Sequence, residues 1–170
     1  GNKAFGSNLI HSPNEPDLEE GIVDLYLRKG VKLVSASAYL GLTLPILKYR
    51  FHGIHRDSAG KIVVPQKVLA KISRVEVADK FLSPPPEKML KALVERGDLT
   101  AEQAELAAQM PVAEDLTAEA DSGGHPDNRP ALALYPTIMA LRDEKASLYK
   151  EQGLTLRVGA AGGISTPASA

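Results

Sequence analysis

The sequence has no cysteine and no tryptophan, and only three phenylalanines and five tyrosines among its 170 residues. Without cysteine there is no disulfide framework, no thiolate nucleophile and no thiolate-held metal. No excess of charge of either sign is present: 20 lysines and arginines face 21 aspartates and glutamates. That balance argues against nucleic acid as the main partner. Long apolar runs are missing as well. The most apolar stretch, residues 33–47, is interrupted by serine, glycine and proline and is too short to span a bilayer. The first six residues lack the apolar segment of a secretory signal. With 44% hydrophobic residues the chain suits one globular unit, and a cytoplasmic location is expected, with no membrane partner.

What is present centres on Glu119-Ala120-Asp121-Ser122-Gly123-Gly124-His125. The preceding Asp115-Leu116-Thr117-Ala118 alternates as a strand does, so Thr117, Glu119 and Asp121 share one face. Polar residues on one face are unusual in a parallel strand, where both faces are normally apolar. Two glycines then allow close backbone approach to a ligand, and a histidine follows. This is the layout of a site at the carboxyl end of a barrel strand.

Strand-like and helix-like segments alternate along the chain. Strands are expected at 5–10, 31–37, within 62–73, from 115 and at 156–160; helices at 17–29, 45–51 and 132–150. The first helix carries an apolar set of Leu18, Ile22 and Leu25 and stops at Gly30. Such alternation implies an α/β fold with a parallel sheet and right-handed crossovers. Between Pro84 and Pro111 the rhythm breaks into two helices, 87–96 and a second one capped by Thr100 and Gln103. This helical insertion, residues 83–112, reads either as a lid at the top of a β/α unit or as a hairpin that fills surface. Five strands make either an open doubly wound sheet or part of a larger barrel.

Several residues invite a functional reading beside a plainer one. Gly162 and Gly163, in Ala160-Ala161-Gly162-Gly163-Ile164, end a strand; their amides suit a phosphate, though a tight turn would use the same glycines. Lys71 and Ser73 share a strand face, and a lysine in a buried strand needs a partner or an electron-rich ligand. Asn8 could hydrogen-bond a ligand or satisfy backbone. His125 is a surface residue or a general acid. Lys48, Arg50, His52, His55 and Arg56 are expected to form a solvated basic surface, since the two histidines lack a third metal ligand nearby.

The segments Asn8-Leu9-Ile10-His11-Ser12-Pro13, Leu69-Ala70-Lys71-Ile72-Ser73-Arg74, the heptapeptide with Asp127-Asn128-Arg129-Pro130, and the later Gly162-Gly163 pair together resemble one family. It is the PfaD-type trans-acting enoyl reductases of polyunsaturated fatty acid and polyketide synthases, within the nitronate monooxygenase/enoyl reductase superfamily. The resemblance runs through almost the whole chain and implies part of an FMN-binding TIM (β/α)8 barrel with a helical insertion. It implies FMN as cofactor, NADPH as hydride donor, an enoyl thioester on acyl carrier protein as substrate, and synthase components as partners; a homo-oligomer is possible. Carried onto this chain, Asn8, Lys71, Ser73, Glu119, Asp121, Ser122, Gly123 and Gly124 would surround the flavin, Gly162 and Gly163 would hold its phosphate, and His125 would be catalytic. The family's first strand and the later half of its phosphate site fall outside this span, so the natural polypeptide is expected to be longer. The rival readings are a nitronate-type flavin oxidase and a non-catalytic module that docks a synthase partner.

Overall fold

Apolar residues at every second position of five short segments decide the architecture. The computed structural model describes residues 5–120 and 130–162. Strands β1 (Ser7–Ile10), β2 (Leu33–Ser37), β5 (Lys67–Ile72), β6 (Asp115–Glu119) and β7 (Arg157–Ala161) form one sheet, and every neighbouring pair is parallel. Their order in the sheet follows their order in the chain, β1-β2-β5-β6-β7. A doubly wound sheet reverses its order at a switch point. This one does not, so crossovers of one hand place the helices on a single face, as in a barrel wall. Among the described residues the wall has five strands and is not closed.

On the helix-covered face, Leu9, Val34, Ala36, Val68, Ala70, Ile72, Leu116, Ala118 and Ala120 are buried. Helices α1 (Pro16–Lys29), α2 (Leu44–Phe51), α3 (Val75–Phe81) and α6 (Ala131–Ala146) supply the rest of that layer, with a 3-10 turn at Ser147–Tyr149. The opposite face carries Asn8, Ser35, Ser37, Lys71, Thr117 and Glu119, none of them buried.

Helix α1 does not bury Leu18 and Leu25, which are exposed; it buries Glu19 and Val23. The carboxylate can turn inward because three donors meet it there. The strand expected within 62–73 is β5, and ahead of it the sequence reading missed β4 (Ile62–Val63), paired antiparallel with β3 (His55–Arg56). Helix α3, absent from the sequence reading, follows β5 directly. The paired helices, α4 (Glu87–Glu95) and α5 (Ala101–Ala107), have the expected capping box at Thr100 and Gln103. Two backbone hydrogen bonds fix where they join the sheet. Ala113 N–H donates to the Phe81 carbonyl at 2.8 Å and Val112 N–H to Ser83 at 3.2 Å, just ahead of β6. The excursion therefore starts and returns at the amino end of β6, opposite the carboxyl ends of the strands.

Candidate functional site at the carboxyl end of the open face

The register of the ladders lines up side chains across the open face. Asn8 stands beside Ser35, then Leu69, Asp115 and Arg157 in successive strands. One step toward the carboxyl ends, Ile10 pairs with Ser37, and Lys71 with Thr117 and Gly159. At the amino side Arg157 grips Asp115 with Nε and Nη2, at 2.5 and 2.7 Å.

Lys71 and Glu119, reached separately from the sequence, are brought together: Nζ and Oε1 lie 3.0 Å apart. Glu119 is diagonal to Lys71 across β5 and β6, which a lysine stem spans easily. Asn8 uses its side-chain oxygen to accept from Ser37 Oγ at 2.8 Å, while Tyr26 donates to its backbone carbonyl at 2.8 Å. The Asn8 amide NH2 is thereby aimed by its neighbours. Ser73 lies one residue past β5.

Gly162 ends β7 with φ +93°, a backbone that favours glycine. A Cβ there would sit 2.4 Å from the Ala120 carbonyl oxygen, so the glycine is required by the packing of β7 against the end of β6. Ala120 N–H donates to Ala161 O at 2.8 Å at the same place. Asp121, Ser122, Gly123, Gly124, His125 and Gly163 lie outside the described residues. Their two segments depart from these neighbouring strand ends.

The donor set suits a polar, electron-rich heterocycle. An amide, two hydroxyls of Ser37 and Thr117, and a cation already neutralised by a carboxylate can meet ring carbonyls and a polyol chain. The chemistry fits a flavin's ring and ribityl portion; on the phosphate side, Gly162 is filled by protein backbone rather than left as a cradle.

A second cluster at the same end escaped the sequence reading. Glu19 Oε2 lies 2.7 Å from His11 Nδ1, and Oε1 accepts from Tyr39 Oη at 2.8 Å and Thr43 Oγ1 at 2.5 Å. Ala38, with φ +63°, turns the chain so that Tyr39 folds back onto it. The available signal was Glu19 itself, four residues before Val23 on the inward stripe of α1.

The expected basic surface dissolves. Arg50 is fully buried, donating to the Pro111 and Gln66 carbonyls and to Glu114 Oε1 at 3.3, 2.6 and 2.7 Å. Burial pulls its pKa down, opposed by Glu114. Burial acts to raise the Glu114 pKa, yet Arg50 and Lys67 outweigh it and hold the carboxyl below its usual range. Lys48 is tied to Glu20, Asp24 and Asp98 at 3.2, 2.8 and 2.9 Å. Only His52, His55 and Arg56 of that group are exposed. The Arg50 cluster sits at the amino ends of β5 and β6, where barrels keep stability rather than chemistry.

No family model matches the chain. It is 45% identical over 170 residues to a component of the polyunsaturated fatty acid synthase of a Thraustochytrium species, covering 98% of this chain and 11% of that protein. It is 44% identical over 168 residues to the polyketide biosynthesis protein PksE of Bacillus subtilis, covering 99% and 22%. Among solved structures it matches the enoyl reductase domain of MlnA, from the macrolactin biosynthesis cluster of Bacillus amyloliquefaciens. That match has a TM-score of 0.86 and 37% identity, over 97% of this chain and 37% of that one. The chain thus spans well under half the length of the proteins it matches.

Proposed function

We propose that this chain, a homologue of polyunsaturated fatty acid and polyketide synthase proteins with the fold of an enoyl reductase domain, is part of an FMN-dependent enoyl reductase. Its substrate would be an enoyl thioester carried on acyl carrier protein, its hydride donor NADPH, and its partners the other components of a synthase. The observation that carries the reading is the 0.86 match to an enoyl reductase domain over 97% of the chain, on a wall whose open face gathers Asn8, Ser37, Lys71 and Glu119.

When bound, FMN supplies hydride for the β-carbon of the enoyl group, having taken it from NADPH. Lys71 is the cation for the ring's electron-rich edge, and Glu119 fixes its stem at 3.0 Å so that little rotamer freedom remains to be lost. Asn8, held by Ser37 and Tyr26, presents its amide NH2 from β1. Ser73, Asp121, Ser122, Gly123 and Gly124 would complete the cofactor's surroundings, with Gly163 toward the phosphate and Gly162 serving the packing of β7 against the end of β6. His125 donates a hydrogen bond to the thioester carbonyl, where negative charge builds as the double bond is reduced. The insertion at 83–112 belongs to the same domain as an outer buttress, with Arg96 pairing Glu20 and Asp98 pairing Lys48 across to α1 and α2.

The test is the purified holoprotein under anaerobic conditions. Bound flavin, and NADPH oxidation that begins only when an enoyl thioester is added, are the expected results. Absence of flavin, or NADPH oxidation that requires oxygen instead of the thioester, would overturn the assignment.

A further inference from the structure

A second imidazole stands at the carboxyl end of the wall. His11 extends β1 by one residue, its N–H donating to the Ser37 carbonyl at 3.1 Å. Ser37 is also the residue that fixes Asn8, so His11 belongs to the same end of the same two strands. Its ring stacks on Tyr39, centroids 5.3 Å apart and planes at 27°, and Tyr39 packs edge-on against Phe81 at 5.8 Å. The His11 side chain is 21% exposed while Glu19 is 3% exposed.

The hydrogen bonds around Glu19 point to the nitrogen that is available. Burial first, and the adjacent Glu19 second, push the Tyr39 hydroxyl pKa far up, so it stays a donor. Tyr39 Oη and Thr43 Oγ1 both donate to Glu19, so its carboxylate is placed as an acceptor, and the 2.7 Å contact assigns the proton to Nδ1. Nε2 is left as the nitrogen that gains or gives a proton, and among the described residues no side chain bonds it. This is the arrangement by which a buried carboxylate orients a histidine for proton transfer.

We propose that His11 is the proton donor to the α-carbon in the reduction, with Glu19 as its positioning residue; this rests on the enoyl-reductase reading above. Once hydride reaches the β-carbon, the former π pair resides on the thioester as an enolate. As that pair returns to the α-carbon it takes the proton from Nε2 of the imidazolium. One C=C becomes two new C–H bonds, His11 is left neutral with Nδ1–H still on Glu19, and solvent reprotonates Nε2 at its exposed edge.

The experiment uses the holoenzyme in D2O with an enoyl thioester of N-acetylcysteamine, comparing wild type, His11→Asn and Glu19→Gln. Asparagine can still donate to Glu19 but offers no transferable proton. The wild type should place deuterium in one α-position stereospecifically. His11→Asn should lose about 10²-fold in thioester reduction and give a mixture of α-deuterated enantiomers, with flavin content unchanged. Independently of turnover, ¹⁵N spectra should show His11 as the Nδ1–H tautomer in the neutral form, and Glu19→Gln should abolish that preference. If wild type fails to reduce the thioester, the enoyl-reductase reading falls and takes this inference with it. If wild type reduces it and His11→Asn keeps both rate and stereochemistry, only the His11 assignment falls. A wild-type Nε2–H tautomer would likewise overturn it, whether or not either variant folds.

Discussion

Lys71 and Glu119 show how far a single side chain could be read without coordinates. Alternation within 62–73 put Lys71 and Ser73 on one strand face, and the same rule put Glu119 on the polar face of its own strand. Their 3.0 Å contact depends on the β5–β6 register, which no local pattern contains. The pair makes the cofactor reading testable. Lys71→Met keeps stem length and removes the charge, so FMN affinity should fall about tenfold or more, a charged hydrogen bond being worth ~1.5–3 kcal/mol. Fluorescence titration of apoprotein with FMN measures this, and unchanged affinity together with unchanged NADPH turnover would remove Lys71 from the site. His125→Ala should act differently. Donors aimed at a developing oxyanion contribute about 10²–10³-fold, and flavin reduction by NADPH needs none. Stopped-flow traces of the two half-reactions should therefore show a strong loss in thioester reduction and a weak one in flavin reduction. Equal losses would make His125 a cofactor or structural residue.

Elements were legible wherever their pattern was long or capped. Strand β6, the Thr100–Gln103 capping box and the Gly30 stop of α1 all appear where the sequence puts them. Helix α3, seven residues directly after a strand, is too short for a period of 3.6 to stand out. The two-residue strands β3 and β4 carry no pattern at all. The buried faces of α1 and α2 were misjudged for a common reason: Glu19 and Arg50 become inward residues only when partners from other elements surround them. Arg50 joins the end of α2 to the starts of β5 and β6, and Glu114 is its counter-charge. Glu114→Gln leaves the guanidinium buried without that charge and should cost about 3–5 kcal/mol, lowering Tm by about 10 °C. The pH dependence follows from the direction of the shift. Glu114 is depressed in the fold, so its contribution is present above its ordinary value near 4.5 and is lost as pH falls through the lower folded value. Thermal melts from pH 7 to 3 should decline below about 4.5 in wild type and less steeply in Glu114→Gln. Parallel curves would assign the acid transition to other carboxylates, Glu20 first, whose pKa Arg96 lowers.

For the whole molecule, the consecutive strand order is what separates a barrel wall from a doubly wound sheet, and it was the one large question that strand–helix alternation left open. Among the described residues, strands β1 and β7 have free edges, Ile10 and Leu33 are exposed on the open face, and Leu18 and Leu25 are exposed on α1. Unpaired edges and apolar patches invite association. The 170-residue span expressed alone should therefore self-associate, which light scattering would detect; a monodisperse monomer with a cooperative melt would show that the wall is stable unclosed. No helix among the described residues is long and apolar enough to cross a membrane. The account's central claim, that this wall serves the reduction of a carrier-bound enoyl thioester, is tested most directly by stoichiometry. Holoenzyme, NADPH and an enoyl-carrier protein are mixed without oxygen, and the mass of the carrier-bound acyl group is followed. The account predicts one saturated thioester, heavier by two hydrogens, for each NADPH oxidised. NADPH consumed with the acyl mass unchanged, or no consumption by a flavin-loaded protein, would contradict it.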